Sequence, residues 1–561
     1  MIRFAVLALA GAGLLAQSYT PGPQVLTYRS DVDDSEQPYA LYLPARFDTS
    51  RRYPLVISLH GAGSNHRVNL RRVLGRGNML VGSEAVTARH FPALEYIVAS
   101  PFARGSMGYR GLPEKDVYDV LADVKKRFPI DEDRVYLTGL SMGGGGTLWL
   151  GLTRPDVWAA IAPVCAAAPP GIQELAGNAL NLPVRMFHGE QDPAVPAASS
   201  RNWHKLFLEL GVKAEYVEYP GVRHNSWDLA YKDAAIFEWF AGRRRERHPE
   251  RVRFATRSYR YGSAYWVRLD GIAPGELASI DARFTGENRL EIATAQVEGF
   301  SLELAGHPRF TASAPLRVTV DGTALGPRAG AALSFRRGAK GWQPGHLAVA
   351  DGAKRRGAEG PIAAALAARH LYVYGTADTP AEEEVKRRRE LAVAAAEWSS
   401  PRERLSVSFA VKSDRQVTAR DLETSHLVLF GTAGTNELIA RYADRFPVML
   451  ERSAADYGLV FVAPVDHGRY AVVSSGLPWW AGAEDAGRPG LGPDARPFRV
   501  LETFSDYILF KGSLKNVLAE GHFDRAWTLP AGAAEKLKAS GTVVVGAAAR
   551  GCGEGFRPQI R

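Results

Sequence analysis

Through the first 240 residues, short apolar and β-branched runs alternate with longer stretches of helical periodicity. Residues 39–43, 55–59, 96–100 and 134–138 have the length and composition of buried strands, as do 159–166, 184–188 and 214–219. Between two of them, Val117, Leu121, Val124 and Phe128 recur at helical spacing and predict an amphipathic helix that feeds the 134–138 strand. Residues 147–152 read as a second helix and 233–240 as a third. Strands that alternate with helices predict an α/β fold, a mostly parallel sheet covered on both faces.

Past Pro249 the period changes. Runs at 252–259, 264–269, 277–284, 289–293 and 316–320 are short and separated by turn signals, with Asp321-Gly322 as a hairpin turn. They predict a small all-β domain over 252–345. A basic, Gly-rich stretch at 351–360 reads as a linker, and 360–561 returns to α/β patterning. There, His370-Leu-Tyr-Val-Tyr-Gly-Thr-Ala-Asp-Thr379 resembles His426-Leu-Val-Leu-Phe-Gly-Thr-Ala-Gly-Thr435. Each predicts a strand, a glycine turn and a threonine placed to cap a helix, and Thr379-Pro-Ala-Glu382 has the form of a capping box. Helix starts of this kind can also attract an anion, but capping explains the residues more simply. Trp479-Trp480 could stack on a sugar or aromatic acid, with core packing as the simpler reading.

Length supports this division, because 561 residues exceed what one core accommodates. The domain limits read as 17–242, 252–345 and 360–561. The net charge of +9 is spread along the chain rather than gathered on one patch, which argues against a nucleic-acid partner. Its densest run, 243–251, is interrupted by acids and proline and reads as a solvated linker. Residues 1–16, a short cationic start followed by an apolar run too brief to span a bilayer, have the form of a secretory signal. The chain is therefore expected to be secreted or periplasmic, with no integral membrane segment after cleavage. Cys165 and Cys552 provide no disulfide framework, and Cys165 is expected to be buried.

The chemistry concentrates at Gly139-Leu-Ser141-Met-Gly143, a G-x-S-x-G sequence between a predicted strand and a predicted helix, the context of a nucleophile elbow. Gly144, Gly145 and Gly146 weaken the helix start by roughly 1 kcal/mol each relative to alanine, which implies close contact between helix and sheet. Asp192 follows the 184–188 strand and His224 follows the 214–219 strand. Taken singly, Asp192 could be a turn former before Pro193 and His224 a surface loop residue. Together with Ser141 they stand in the order nucleophile, acid, histidine, on loops at the carboxyl ends of strands.

These pieces, with Leu59-His-Gly-Ala-Gly63, resemble the α/β-hydrolase superfamily over 39–240. The resemblance is to its secreted polyhydroxybutyrate-depolymerase, feruloyl-esterase and prolyl-oligopeptidase-like serine hydrolases. It implies acyl transfer in which Ser141 attacks, His224 takes the proton and Asp192 orients the imidazole. It also implies oxyanion donors at the N–H groups of Met142 and Ala62, with His60 pinning the loop that carries Ala62. His188 reads as a strand-end packing residue. No metal-ligand spacing or phosphate loop is present, so no cofactor is expected. The expected function is that of an exported serine hydrolase of small or polymeric carboxylic esters, including esters on plant polysaccharide. The alternatives are a prolyl-oligopeptidase-like peptidase and a binding protein on a hydrolase scaffold. Every candidate residue precedes His248, so the catalytic part is expected to be separable.

Overall fold

The computed structural model describes residues 19–74, 94–398, 407, 409–451, 454–488 and 496–546. The proposed signal segment and Cys552 lie outside these residues. An eight-stranded sheet forms from β1 (Gly22–Arg29), β2 (Glu36–Leu43), β3 (Tyr53–Leu59), β4 (Ile97–Pro101), β5 (Ile130–Leu140), β6 (Ala160–Val164), β7 (Val184–Gly189) and β8 (Ala214–Tyr219). Their order is β1-β2-β4-β3-β5-β6-β7-β8, with β3 to β8 parallel and the β1–β2 hairpin antiparallel at one edge. Alternate residues of one strand enter different cores. Leu55 and Ile57 join Val117, Val124 and Leu148 on one face, while Val56 joins Tyr136, Phe237 and Phe240 on the other. A strand buried on both faces has to be apolar throughout, which is why these strands are continuous apolar runs rather than alternating ones.

The helices of this layer are α1 (His66–Val73), α2 (Leu112–Arg127), α3 (Met142–Thr153), α4 (Ala197–Glu209), α5 (Trp227–Ala230) and α6 (Ala235–Ala241). Helix α2 buries Val117, Leu121 and Val124, the periodic residues of the sequence. The helix expected from residue 233 begins later, because Asp233 and Ala234 take left-handed backbone angles that break the α5–α6 segment.

Two five-stranded sheets follow, built from β9 (Arg251–Thr256), β10 (Ser263–Ala264), β11 (Val267–Ile272), β12 (Ala278–Gly286), β13 (Arg289–Ala295), β14 (Val297–Glu303), β15 (Leu316–Val320), β16 (Thr323–Arg328), β17 (Ala332–Gly338) and β18 (Gly341–Pro344). Phe254, Ile280, Phe284, Phe300 and Phe335 from both sheets share one core with Trp266 of the β10–β11 turn. Asp321 and Gly322, both at positive φ, turn β15 into β16. Strands β14, β16, β17 and β18 lie outside the runs read from sequence; β16 and β17 are largely exposed and carry little apolar alternation.

Both linker segments make long-range contacts, the first while Arg244 and Arg247 stay exposed to solvent. In the 243–251 segment, Arg244, Arg245 and Arg247 pair with Asp131 or Asp133, and Trp266 donates to the Pro249 carbonyl. In the 351–360 segment, buried Lys354 pairs with Asp506, and the Glu359 carboxylate accepts the N–H groups of Tyr259 and Arg260. The carboxylates that neutralise these cations lie more than a hundred residues away, which local composition does not reveal.

The last part contains α7 (Ile362–Leu366), β19 (His370–Tyr374), α8 (Glu382–Ala396), β20 (Val411–Ser413), α9 (Ala419–Thr424), β21 (His426–Phe430), α10 (Glu437–Tyr442), β22 (Val448–Leu450), β23 (Tyr457–Pro464), β24 (Tyr470–Gly476), α11 (Pro497–Leu501), β25 (Tyr507–Lys511), β26 (Val517–Gly521), α12 (Ala531–Ala539) and β27 (Val543–Val545). Seven strands form one sheet in the order β20-β19-β21-β24-β23-β25-β26, parallel from β20 to β24 and antiparallel beyond. The two matching segments become the neighbouring strands β19 and β21, with His370 opposite His426. Their threonines do not cap the following helices. Thr379 has φ 48°, so α8 starts only after Ala381, and α10 is capped by the side chain of Asn436. Trp479 is buried against Phe430, the packing role expected of it. The core of this part also takes in Val32 and Leu112 from the first sheet layer, with Met107 packed against it. Among the described residues, no helix is long and apolar enough to cross a membrane.

Candidate active site

Ser141 occupies the single-residue turn between β5 and α3, with φ 56°. A non-glycine residue held there is strained and persists only where its surroundings over-determine it. Its N–H donates to the Val164 carbonyl at 2.9 Å, and its own carbonyl accepts from Gly145 and Ala167 at 3.0 Å each. The neighbouring glycines make this packing possible. A Cβ on Gly139 would strike the Gly143 carbonyl, one on Gly143 the Leu59 carbonyl, and one on Gly145 the Ala167 carbonyl. A Cβ on Gly144 would sit 2.5 Å from the Val164 oxygen, and one on Gly146 2.5 Å from the Tyr109 ring. Helix α3 therefore lies directly on the sheet, which offsets the weak helix propensity of its glycines.

The loops after β7 and β8 are tied together by Glu190 and Gln191, whose N–H groups donate to the carbonyls of Tyr219 and Val222. They bring Asp192 and His224 together: His224 Nδ1 is 2.7 Å from Asp192 Oδ2, and His224 Nε2 is 3.0 Å from Ser141 Oγ. The ring edge of Trp227 packs against the imidazole. Asp192 Oδ1 accepts the N–H groups of Ala194 and Val195 at 2.8 and 2.9 Å. Burial opposes the Asp192 charge, but the hydrogen bonds from His224, Val195 and Ala194 outweigh it and hold the carboxyl below its ordinary value. His188 does more than pack at a strand end. Its Nδ1 meets Ser200 Oγ at 2.7 Å, its Nε2 meets the Val195 carbonyl at 2.9 Å, and Asp192 Oδ2 is 3.2 Å away. It braces the loop that carries Asp192.

Cys165 is buried at the end of β6, as expected, with a positive φ of 37°. Among the described residues, Cys165, Asp192 and His224 offer ligand atoms within 4.8 Å of one another. Burial pushes the thiol up to about 12, so it is protonated at neutral pH, and Asp192 and His224 already bond to each other. This donor set suits proton transfer better than metal ligation.

The loop after β3 runs over the elbow. A Cβ on Gly61 would lie 3.5 Å from Ser141 Cβ and 2.8 Å from Leu140 Cδ1, and Ala62 follows at once. Met142 is the first residue of α3, so its N–H has no acceptor within the helix. The ring of His60 has Nδ1 2.9 Å from the Gly61 carbonyl and Nε2 2.9 Å from the Phe102 carbonyl, in keeping with a pinning role. Burial keeps this imidazole below the ordinary histidine value. Two further contacts were not anticipated from sequence: Tyr109 donates to the His60 carbonyl at 3.0 Å, and Ser106 Oγ accepts the Gly63 N–H at 2.7 Å. The only signal for them is the Gly-rich turn after β4, where Gly105, Gly108 and Gly111 have positive φ.

Part of the chain is similar to known ester hydrolases. The profile of the Abhydrolase_2 family, described as phospholipase/carboxylesterase, matches residues 110–237, a span that contains Ser141, Asp192 and His224. Acyl-protein thioesterase 1 of Gibberella zeae is 30% identical over 110 residues, 17% of this chain and 42% of that protein. Acyl-protein thioesterase 1 homolog 2 of Dictyostelium discoideum is 26% identical over 106 residues, 18% of this chain and 48% of that protein. The chain thus spans less than half the length of the curated relatives it matches. Among solved structures, a thermostable esterase is 28% identical, with 40% of this chain and 63% of that chain covered at a TM-score of 0.32. A CE1 ferulic acid esterase from Anaeromyces mucronatus, in complex with ferulic acid, is 18% identical, with 39% of this chain and 90% of that chain covered at a TM-score of 0.31.

Proposed function

We propose that the chain is a serine hydrolase working through an acyl-enzyme, a reading supported by the similarity of residues 110–237 to phospholipase/carboxylesterases of the α/β-hydrolase superfamily. The observation that carries this reading is the continuous hydrogen-bonded line from Ser141 Oγ through His224 to Asp192. The ionised Asp192 carboxylate can only accept, so Nδ1 of His224 carries the proton and Nε2 is free to take one from the serine hydroxyl. Ser141 then attacks the carbonyl carbon of the substrate as its proton passes to Nε2. The imidazolium that results is stabilised by Asp192 and returns the proton to the leaving alcohol. Water, deprotonated by the same imidazole, cleaves the acyl-enzyme and releases the acid.

The Met142 and Ala62 N–H groups are the proposed donors to the oxyanion, and a donor lost from such a site costs about 3–4 kcal/mol of transition-state stabilisation. Carboxylic esters are the proposed substrates, and the thioesters named in the relatives require the same acyl chemistry. Esters on plant polysaccharide and an exported location belong to the proposal too, the latter resting on the form of residues 1–16. So does the division into a catalytic part at 17–242 and non-catalytic parts at 252–345 and 360–561.

The test is twofold. A fluorophosphonate probe should label the wild-type chain and not Ser141→Ala. The wild-type chain should also hydrolyse short acyl nitrophenyl esters and leave peptidyl anilides intact. Anilide cleavage would move the assignment to a peptidase. Absence of labelling would favour a binding protein.

A further inference from the structure

The loop between β4 and α2, residues 102–111, grips the segment that carries the proposed oxyanion donor at three points. The Phe102 carbonyl meets the His60 ring at 2.9 Å, the Tyr109 hydroxyl donates to the His60 carbonyl at 3.0 Å, and Ser106 Oγ accepts the Gly63 N–H at 2.7 Å. Two of these contacts fix His60, and the third fixes the chain beyond Ala62. Gly63 has φ +69° and open space at its missing Cβ, so what holds it is the Ser106 hydroxyl together with the Ser64 N–H bond to the Gly61 carbonyl at 3.2 Å that closes this turn.

The gripping loop is anchored twice. From within, buried Arg104 joins Asp33 at 2.6 Å, Asp116 at 2.8 Å and Ser30 at 2.6 Å. A fully buried guanidinium with two carboxylates holds its backbone firmly, here in left-handed angles at Ala103 and Arg104. From outside, the last sheet layer closes on the loop. Met107 packs on the core that contains Phe498, Val500 and Leu501 of α11, and Leu112 belongs to that core. Arg499 of the same helix reaches the Ser106 carbonyl at 3.5 Å.

We propose that Ser106 is a positioning residue for the oxyanion hole and that the C-terminal α/β layer clamps the loop which presents it. This inference rests on the serine hydrolase reading and gives the last 200 residues a part in turnover without placing any of them on the substrate. The physical basis is preorganisation. Oxyanion donors act only when held where the negative charge develops, and small misplacements of such groups are costly in rate. A clamp that acts this way alters stabilisation of the transition state and leaves ground-state binding alone, so it changes kcat and not KM.

The experiment uses the full chain and a short acyl nitrophenyl ester. Ser106→Ala should melt at the wild-type temperature, lower kcat by roughly tenfold and change KM by less than about twofold. Its affinity for a boronic acid, which forms a tetrahedral adduct with the serine, should fall in step with kcat. Ser106→Thr, which keeps the hydroxyl, should recover most of the loss. Met107→Ala on the clamp side should lower kcat in the same direction, and the double variant Ser106→Ala/Met107→Ala should lose little beyond Ser106→Ala alone, because both act through one path. A folded Ser106→Ala chain with wild-type kcat, or one whose loss lies entirely in KM, would overturn the positioning role while the esterase reading stands. A wild-type chain that neither turns over esters nor reacts with fluorophosphonate would remove that reading, and this inference with it.

Discussion

Asp192 accepts the Nδ1 proton of His224 across 2.7 Å while its other oxygen takes two backbone N–H groups from its own loop. The carboxylate is thereby fixed in charge and in direction, and so is the tautomer of the imidazole it faces. The residues that make this possible come from two loops joined by backbone hydrogen bonds, so the pair behaves as one rigid unit.

Asp192→Asn should keep the geometry and lose the tautomer, with kcat falling by about three to four orders of magnitude on a small ester. Ser141→Ala and His224→Ala should each cost roughly three orders of magnitude or more, and the double variant little further, because the members act as a unit. Steady-state turnover with melting curves as a fold control decides this. Near-full activity of folded Ser141→Ala would refute the central assignment.

Acid should destabilise the C-terminal sheet through His370 and His426. Burial holds His370 down to about 4, and burial together with His370 holds His426 down to about 3. Both lie below the unfolded value near 6.5, so the unfolded chain takes up these protons first. The stability they leave intact is fully present above about pH 6.5 and falls as pH drops toward 4, by about 1.4 kcal/mol per pH unit for each histidine. Urea unfolding at pH 7 and pH 5 measures the loss, and His370→Phe should reduce it by about 2 kcal/mol. An unchanged difference between the two pH values in that variant would show that His370 does not titrate on unfolding.

Glycine-to-alanine changes should have opposite signs at two helical positions. Gly532 of α12 has open space around its missing Cβ, so Gly532→Ala should stabilise by up to about 1 kcal/mol. Gly145 of α3 faces the Ala167 carbonyl, a backbone group that cannot give way cheaply. Gly145→Ala should destabilise by about 2 kcal/mol or more and displace Ser141. Melting temperatures settle the signs, and a stabilised Gly145→Ala would mean that α3 stands further from the sheet.

A chain ending at Glu246 should aggregate rather than work as a separable esterase. Asn178 bonds both backbone groups of Ala255, and Glu114 accepts the Tyr261 hydroxyl at 2.7 Å. Val32, Leu112 and Met107 would lose the core they pack into. The position of all candidate residues before His248 suggests separability, but these crossing contacts argue against it. Recovery of a soluble, fully active short chain in size-exclusion and turnover assays would show them to be dispensable.

The local features of the site were legible in the sequence, because a local pattern carries them. A G-x-S-x-G between a β-branched run and a helix requires glycine where backbones meet, and the alternation of runs placed Asp192 and His224 after successive strands. The histidine repeat at 370 and 426 was likewise visible, although not that the two would pair in register.

What only tertiary structure decided is how charged and polar groups remote in sequence are matched. Arg104 with Asp33, Lys354 with Asp506, and Arg245 with Asp133 each tie a charged stretch to a carboxylate that its own neighbourhood does not contain. A guanidinium or ammonium enters a protein interior only where a carboxylate meets it, and no local pattern announces which one. Ser106 escaped notice for the same reason. A serine in a glycine-rich turn has no signature until the fold sets its hydroxyl beside the N–H of Gly63.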